Sequence, residues 1–511
     1  MRHLAIILSS SAAFCWTACA APLEIEALLT TGDAVGDENY TFHGFGQVHL
    51  NSAGEILFSS RTSHTGTGYG GIFFADGRVV ALDGQEYGDD GLTLGSSVGS
   101  GGAFLLTESG DAIFSSFACY VCTPSTYELG IFKGSNTTIT LTGSTVDANG
   151  ETLFEASRFT ASDRGEVAYV SRTYPSYDYG IHREDGSAVA FTGTPSPLPG
   201  TEFYGSFKNP VINSVGQIAF TASVIDASQT VKTGLFFDGK VVALEGEEAG
   251  NSGHTFSRAS FSAENIFLND DGELTFAAAI DTDDGRVTGL FREDGSAIVS
   301  GNIPVKGAPG AFTGVGNVVM NGSGEFAFEN FASGFGPTPR KGIFLDDGTV
   351  IALRGTVAGN TGTYFSSFYS DITINDRGYV AFNAITSKAG VRYDGLFLYD
   401  RENGLRTVAF EGDEIIDSHG IVRTIMSISF VPGGLSENGI AFSAGWRTGG
   451  GSGLFFVPFD ELEEVPLPAA APLMLAGLGF LGWTRRSSSR LAYPSHGSAL
   501  PKIRERNRLL L

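Results

Sequence analysis

Asn375-Asp-Arg-Gly378, with Phe382 four residues beyond the glycine and Gly395-Leu-Phe397 after it, is one copy of a two-part phrase that recurs along the chain. The first part is a turn residue, two variable positions and a glycine, followed by a small residue and an aromatic. It returns as Asn51-Ser-Ala-Gly54 before Phe58, Asn213-Ser-Val-Gly216 before Phe220, Asn269-Asp-Asp-Gly272 before Phe276 and Asn321-Gly-Ser-Gly324 before Phe328. Weaker copies centre on Gly110, Gly165 and Gly439, the last one residue shorter before Phe442. The second part, glycine-aliphatic-aromatic, keeps step at Gly71, Gly130, Gly234, Gly289, Gly342, Gly395 and Gly453, with Gly180-Ile181-His182 as the departure. Successive glycines of this set lie 59, 50, 54, 55, 53, 53 and 58 residues apart. A period of this size denotes an array of one supersecondary unit.

Within Thr255 to Gly301, four apolar runs are separated by Asn269-Asp-Asp-Gly272, a polar loop and Glu293-Asp-Gly295. Asn, Asp and Gly tolerate the left-handed backbone of tight reversals, so the runs read as short strands joined by hairpins. No stretch between residues 23 and 458 sustains a helical apolar period. Four antiparallel strands per unit, repeated eight times, predict an all-β, eight-bladed β-propeller. Leu23–Leu29 with Gly32–Gly36 matches the fourth-strand segments at Val241–Gly250 and Val350–Gly359, yet no first three strands precede it. The last unit stops after its third strand, Gly453–Val457. The N-terminal strand is therefore expected to complete the C-terminal blade, closing the ring and removing an exposed edge.

The Asn-x-x-Gly…Ala-Phe phrase resembles the bacterial choice-of-anchor tandem-repeat family with an NxxGxxAF motif. It is also similar to the corresponding phrase of TolB-like and WD-type propeller blades. The resemblance spans roughly residues 23–458 and implies a propeller in a surface setting; that family carries no catalytic residues to transfer.

The formal net charge is −24. The first twenty residues carry only Arg2 and the last 28 carry +6, which leaves −31 on residues 21–468. So acidic a body repels nucleic-acid phosphates and anionic lipid, so no nucleic-acid partner is expected. Cations, basic partners and neutral sugars remain compatible.

The ends read as addresses. Arg2-His3, the apolar run Leu4–Leu8 and Ala18-Cys-Ala20 make residues 1–20 an expected signal peptide. The propeller is expected over 21–459, an acidic linker and sorting box over 460–468, a hydrophobic anchor helix with basic stop over 469–486, and a basic disordered tail over 487–511. Val465-Pro466-Leu467-Pro468-Ala469, the apolar stretch to Trp483 and the pair Arg485-Arg486 resemble the PEP-CTERM class of sorting signals in its VPLPA form. That resemblance implies a Gram-negative host, an exosortase-type enzyme as partner, and transfer to the envelope or extracellular matrix after membrane anchoring. The 25 residues beyond Arg486 depart from the class pattern.

Of four cysteines, Cys119 and Cys122 survive removal of the signal, and an oxidising compartment makes a local disulfide between them the first reading. The bond is expected to matter only locally, since a short loop gains little from closure. Gly95-Ser-Ser97-Val-Gly99 fits a nucleophile pattern but lacks the strand-to-helix elbow that gives it chemistry. Gly66-x-Gly68-x-x-Gly71 precedes a strand rather than a helix and reads as a turn. His182 reads as a packed residue. Acidic turns such as Asn269-Asp-Asp-Gly272 and Asp346-Asp-Gly348 offer oxygen ligands for calcium without the dense spacing of a dedicated loop. No catalytic residue and no cofactor is assigned. The expected function is a noncatalytic displayed propeller that binds an extracellular glycan or protein. The alternative is a polysaccharide-acting hydrolase or lyase at the channel mouth, distinguished by carboxylates or histidines converging from different blades.

Overall fold

The computed structural model describes residues 24–459, apart from 37–39, 65–66, 89–90, 96–97, 99–102, 121–126, 145–150, 251, 284, 300–304, 307–310, 313–314 and 447–449. The expected signal peptide over 1–20, Cys122, Ser97, the expected sorting box Val465–Ala469, Arg485-Arg486, and the expected anchor helix and tail over 469–511 therefore lie outside the described residues. Eight antiparallel sheets follow one another as an eight-bladed β-propeller. Blade 5 is typical: strands Thr255–Leu268, Leu274–Thr282, Gly285–Arg292 and Ala297–Val299 pair in chain order. The first strand of each blade is the innermost. The only helical element among the described residues is the short turn Pro432–Gly434, and no helix there is long and apolar enough to cross a membrane.

The two recurring phrases meet inside each blade. The aromatic of the first phrase stands on the second strand, directly opposite the aromatic of the second phrase on the third. Phe276 faces Phe291, Phe382 faces Phe397 and Phe442 faces Phe455. The rings stack with centroids 5.7, 5.6 and 5.7 Å apart and interplanar angles of 28, 22 and 27°. In blade 3 the same seat holds Tyr169 and His182, stacked at 5.7 Å and 22°. The departure seen in the sequence is thus a conservative exchange of flat rings.

The glycine of the second phrase is needed because residues i and i+2 of a strand share a face. The Phe397 ring folds back over Gly395, where an added Cβ would lie 2.7 Å from it. At Gly71 the corresponding contact with Phe73 would also be too close. With the ring lying flat on bare backbone, both faces of the blade are free to pack on their neighbours. The core consists of such interblade clusters, for example Phe365, Phe368, Ile372, Phe382 and Phe397 of blade 7 against Ala327, Ile343 and Ala352 of blade 6.

Closure follows the expectation. Glu26–Thr30 pairs antiparallel with Gly451–Pro458, Glu26 opposite Phe456 and Thr30 opposite Gly453, as the outer strand of blade 8. Thr31 and Ser452 exchange hydrogen bonds across this seam: Thr31 N–H donates to Ser452 O and Ser452 N–H to Thr31 Oγ1, at 2.9 and 3.0 Å. A second lock lies beside it. Asp33 accepts hydrogen bonds from Thr30 N–H at 2.6 Å and Ser418 Oγ at 2.7 Å, and His419 Nε2 stands 3.2 Å from its other oxygen.

Candidate binding site at the channel mouth

The Asn-x-x-Gly turn joins the inner strand of a blade to the second strand, so eight such turns encircle one mouth of the channel. Asn51 shows why the first residue is Asn. Its Oδ1 accepts the Glu55 N–H at 2.9 Å within the turn, while its Nδ2 donates to Thr107 O of blade 2 at 3.3 Å. Asn213 donates likewise to Asn269 O, Asn321 to Asn375 O and Asn375 to Ser436 O, at 3.0, 3.0 and 2.8 Å. Only a side chain with both an acceptor and a donor serves its own turn and the next blade together. Where Thr107 or Ser162 replaces Asn, the hydroxyl keeps the acceptor role, towards Asp111 N–H and Glu166 N–H. Gly54 closes its turn at φ +81°, a backbone that side chains rarely adopt.

The second turn position carries the charge. Around the ring it is Ser52, Glu108, Asp163, Ser214, Asp270, Gly322, Asp376 and Glu437. Its carboxylates accept the second-position N–H of the preceding blade. Ser52 donates to Glu108 at 2.8 Å, Ser214 to Asp270 at 2.7 Å, Gly322 to Asp376 at 2.6 Å and Asp376 to Glu437 at 2.7 Å. From blade 8, Asn438 Nδ2 donates to Ser52 O and continues the belt across the seam. At Asp163 the backbone takes over: Ser109 N–H donates to the Asp163 carbonyl, and among the described residues no donor reaches its carboxylate.

These carboxylates converge. Burial raises the pKa of Asp163, and the charges of Asp270, Glu108 and Asp376 raise it further, although they come from blades 5, 2 and 7. Blades 3 and 7 face each other across the ring. Glu437 is also raised by burial, against the hydrogen bond from Asp376 N–H, and the Asp376 charge adds to the rise. A cavity of about 730 Å³ opens here, rimmed by Asp163, Asp270, Asp271 and Asp376 and walled deeper by Ile212, Leu268 and Met320. The outer turns of the same face differ, because several of their acids are paired. Arg401 reaches Glu325, Asp346 and Asp347, and Lys133 reaches Asp111 and Glu184. The Asp347 carboxyl is held well below its usual range, despite burial, by hydrogen bonds from Lys306 and Thr349. Arg164 and Arg377 occupy third turn positions, Arg377 donating to Glu437 O at 3.3 Å.

The sequence-level candidates fall elsewhere. Cys119 is disulfide-bonded, with Cys122 outside the described residues. It ends the strand Ala112–Cys119 and is 1% exposed, so its half of the clip belongs to the blade core rather than to a protruding loop. Gly68 and Gly71 lie in the strand Thr67–Phe74. His182 is buried; its Nδ1 lies 3.1 Å from Gly186 O while Nε2 has no partner, and burial lowers its pKa. No group of three or more His, Cys, Asp or Glu side chains among the described residues is placed to hold a metal ion. Asn269-Asp-Asp-Gly272 instead supplies Asp270 and Asp271 to the rim. The carboxylate ring escaped linear reading because its members stand some 55 residues apart; a column of second turn positions, aligned on the glycines, would have shown it.

The fold and this mouth define an eight-bladed propeller with a carboxylate-ringed channel. A model of the family of unknown function (DUF7453) matches residues 9–240 and again 238–455, and the chain belongs to that family. Each match takes in four glycine-aliphatic-aromatic phrases, so the ring is two tandem half-rings. No curated protein matches the sequence. Among solved structures, polysaccharide lyase Uly1 is similar at 9% identity and a TM-score of 0.29, over 84% of this chain and 91% of that one. The Penicillium chrysogenum α-L-arabinanase complexed with arabinobiose aligns at 14% identity and 0.26, over 60% and 93%. The WD40 domain of SCAP from fission yeast aligns at 8% and 0.30, over 85% and 98%. At such values these likenesses carry no argument about ligand or chemistry.

Proposed function

We propose that the chain is an exported, noncatalytic propeller of the cell envelope or its surrounding matrix, which binds an extracellular glycan or protein at the ringed mouth. The observation that carries this is the contrast between two acidic tiers: several outer carboxylates pair with Arg401 and Lys133, whereas Asp163, Asp270 and Asp376 line one cavity with no ion pair among the described residues. Fixed acceptors in a concave, partly desolvated site suit a ligand that brings donors: the hydroxyls of a sugar or the cationic side chains of a basic protein segment. The belt favours binding over catalysis, since Glu108, Asp270, Asp376 and Glu437 are each held by a neighbour's N–H in a fixed orientation. The address rests on the export signal over 1–20 and on Val465–Ala469 with Arg485-Arg486 as a signal for an exosortase-type enzyme. Reporter fusions after Val457 and after Ser489 should then report opposite sides of the membrane before cleavage.

One observation favours the second reading, a polysaccharide-acting hydrolase or lyase. Asp163, whose pKa is raised by burial and then by the charge of Asp270, is the kind of carboxyl that a general-acid role requires. A glycan and basic-peptide array, read beside an assay for newly released sugar ends, separates the two. Saturable binding abolished by Asp163→Asn with Asp270→Asn, without product, supports the binding module. Product formation lost in Asp163→Asn while binding persists establishes the enzyme.

A further inference from the structure

At the opposite end of the inner strands the same topology displays another set of side chains. In several blades the inner strand slips register next to a buried apolar residue near its start. The slip lies between Phe42 and Gly44, Leu153 and Glu155, Phe203 and Gly205, and Phe365 and Ser367. A bulge leaves one residue unpaired and re-aims its side chain. The residues so displaced are His43, Phe154, Tyr204 and Ser366. In the adjacent blades 3 and 4 they are aromatic and stand out into solvent, Phe154 at 50% and Tyr204 at 57% exposure.

In blade 3 the bulge meets a built surface. Phe154 packs edge-on against Tyr177 at 5.8 Å and 76°, and Tyr177 against Tyr174 at 5.5 Å and 86°. Tyr174 and Tyr177 are themselves 50% and 45% exposed, so the three rings form an open corner. Tyr177 takes this place at φ +61°, a left-handed backbone costing roughly 1 kcal/mol for a residue with a side chain. The Arg172 guanidinium lies under the corner, 5.7, 4.9 and 5.1 Å from the rings of Phe154, Tyr177 and Tyr179. Its Nε is enclosed without a hydrogen-bond partner, and no carboxylate among the described residues pairs with it. Glu155 lies opposite it in register, and Glu151 accepts from Ser176 Oγ at 2.9 Å.

We propose that this corner is a glycan subsite that takes a neutral pyranose chain, extended towards Tyr204 of blade 4. It rests on the reading of the protein as a glycan-binding module but places the sugar on the other face from the carboxylate ring. A pyranose has an apolar C–H face that lies against aromatic rings and an equator of hydroxyls. The unpaired guanidinium offers those hydroxyls donors, and Glu151 and Glu155 offer acceptors. A protein partner fits less well. Three half-exposed rings offer on the order of 300 Å² of apolar surface, against about 800 Å² per partner in a stable protein interface. A polyanionic glycan is opposed by the −31 body and by the two glutamates.

The test is calorimetric titration of the purified protein with cellohexaose, xylohexaose and mannohexaose, with oligogalacturonate and a lysine-rich peptide as contrasts. At least one neutral hexasaccharide should bind, and at least tenfold more weakly to Tyr177→Ala and to Arg172→Gln. The milder Tyr204→Ala should weaken a hexasaccharide more than a disaccharide, which keeps the proposal open to refutation if Arg172→Gln folds poorly. The inference falls if no neutral oligosaccharide binds, if binding ignores both blade-3 variants, or if oligogalacturonate or the peptide binds there more tightly. Sugar binding lost only in Asp163→Asn would overturn this subsite and leave the channel-mouth reading standing.

Discussion

A methyl group at Gly395 would meet the Phe397 ring at 2.7 Å and the Phe410 ring at 3.1 Å. Gly395→Ala should therefore destabilise the protein by about 1–3 kcal/mol, the usual range for overpacking a core, read as a lower urea midpoint. An unchanged midpoint would mean that the ring has another place to go. His182 gives the opposite sign. It occupies a phenylalanine seat, stacks on Tyr169, and leaves Nε2 buried without a partner. His182→Phe removes that orphan and should stabilise by about 1 kcal/mol at neutral pH. Its pKa is lowered in the fold, so the unfolded chain binds the proton more readily. Stability is then full above the ordinary histidine pKa of about 6.5 and is lost as pH falls below it. His49, lowered by burial to about 4, adds a loss of the same sign. Urea midpoints at pH 7.5 and 5 should converge for His182→Phe with His49→Gln; an undiminished acid loss in that variant would place it elsewhere.

At the scale of elements, the belt of turns is what holds inner strands of different blades in line. Asn375→Ala deletes the acceptor for Tyr379 N–H, at 2.9 Å, and the donor to Ser436 O, at 2.8 Å. The cost should be about 1–2 kcal/mol, with faster hydrogen exchange at Tyr379 and along the blade 7–8 contact. Exchange confined to Tyr379 would show that the cross-blade bond carries nothing. Asp163 lets the ring's repulsion be read by pH. Its folded pKa is raised, so its contribution is full below the ordinary carboxylate pKa and is lost as pH rises through the raised value. Asp163→Asn should therefore raise the melting temperature at pH 7 and converge with the parent near pH 4. A deficit at pH 7 would mean that the ring needs this charge.

The unequal legibility of these elements has a physical cause. The Phe–Phe pair, its glycine seat and the Asn turn are local requirements met by residues within some twenty positions, so each repeat states them again. Blade count and closure could be read from them, and only His182 stood out. The carboxylate ring and the bulged aromatics are gathered by rotation about the channel axis, with one residue from each blade and no local constraint on its type. Glu108, Asp163 and Asp376 look like ordinary turn acids, and Phe154 like another core phenylalanine, until the register slip turns it outward. Bulges leave little trace in sequence, because the flanking residues keep a strand-like alternation.

For the molecule as a whole, stability depends on a seam made by residues more than 380 apart. Removing residues 24–33 deletes the outer strand of blade 8, the Thr31–Ser452 exchange and the lock on Ser418 and His419. Unfolding should then lose cooperativity, with blade 8 exchanging and being cleaved by protease before the others. A peptide spanning residues 24–36 should restore protection when added in excess. A truncated protein that melts as sharply and as high as the parent would refute the clasp.

The seam also sets how the molecule answers to force. Glu26 lies opposite Phe456, so the first and last described strands enter and leave the ring at one spot on its rim. A load applied through residue 459 runs along the strand Gly451–Pro458, which has Gly439–Trp446 on one side and Glu26–Thr30 on the other. Pulled lengthwise, that strand must shear two rows of hydrogen bonds at once instead of peeling one row in succession. A pull from beyond residue 459 thus reaches the ring through a strand held on both sides, one of them the seam itself.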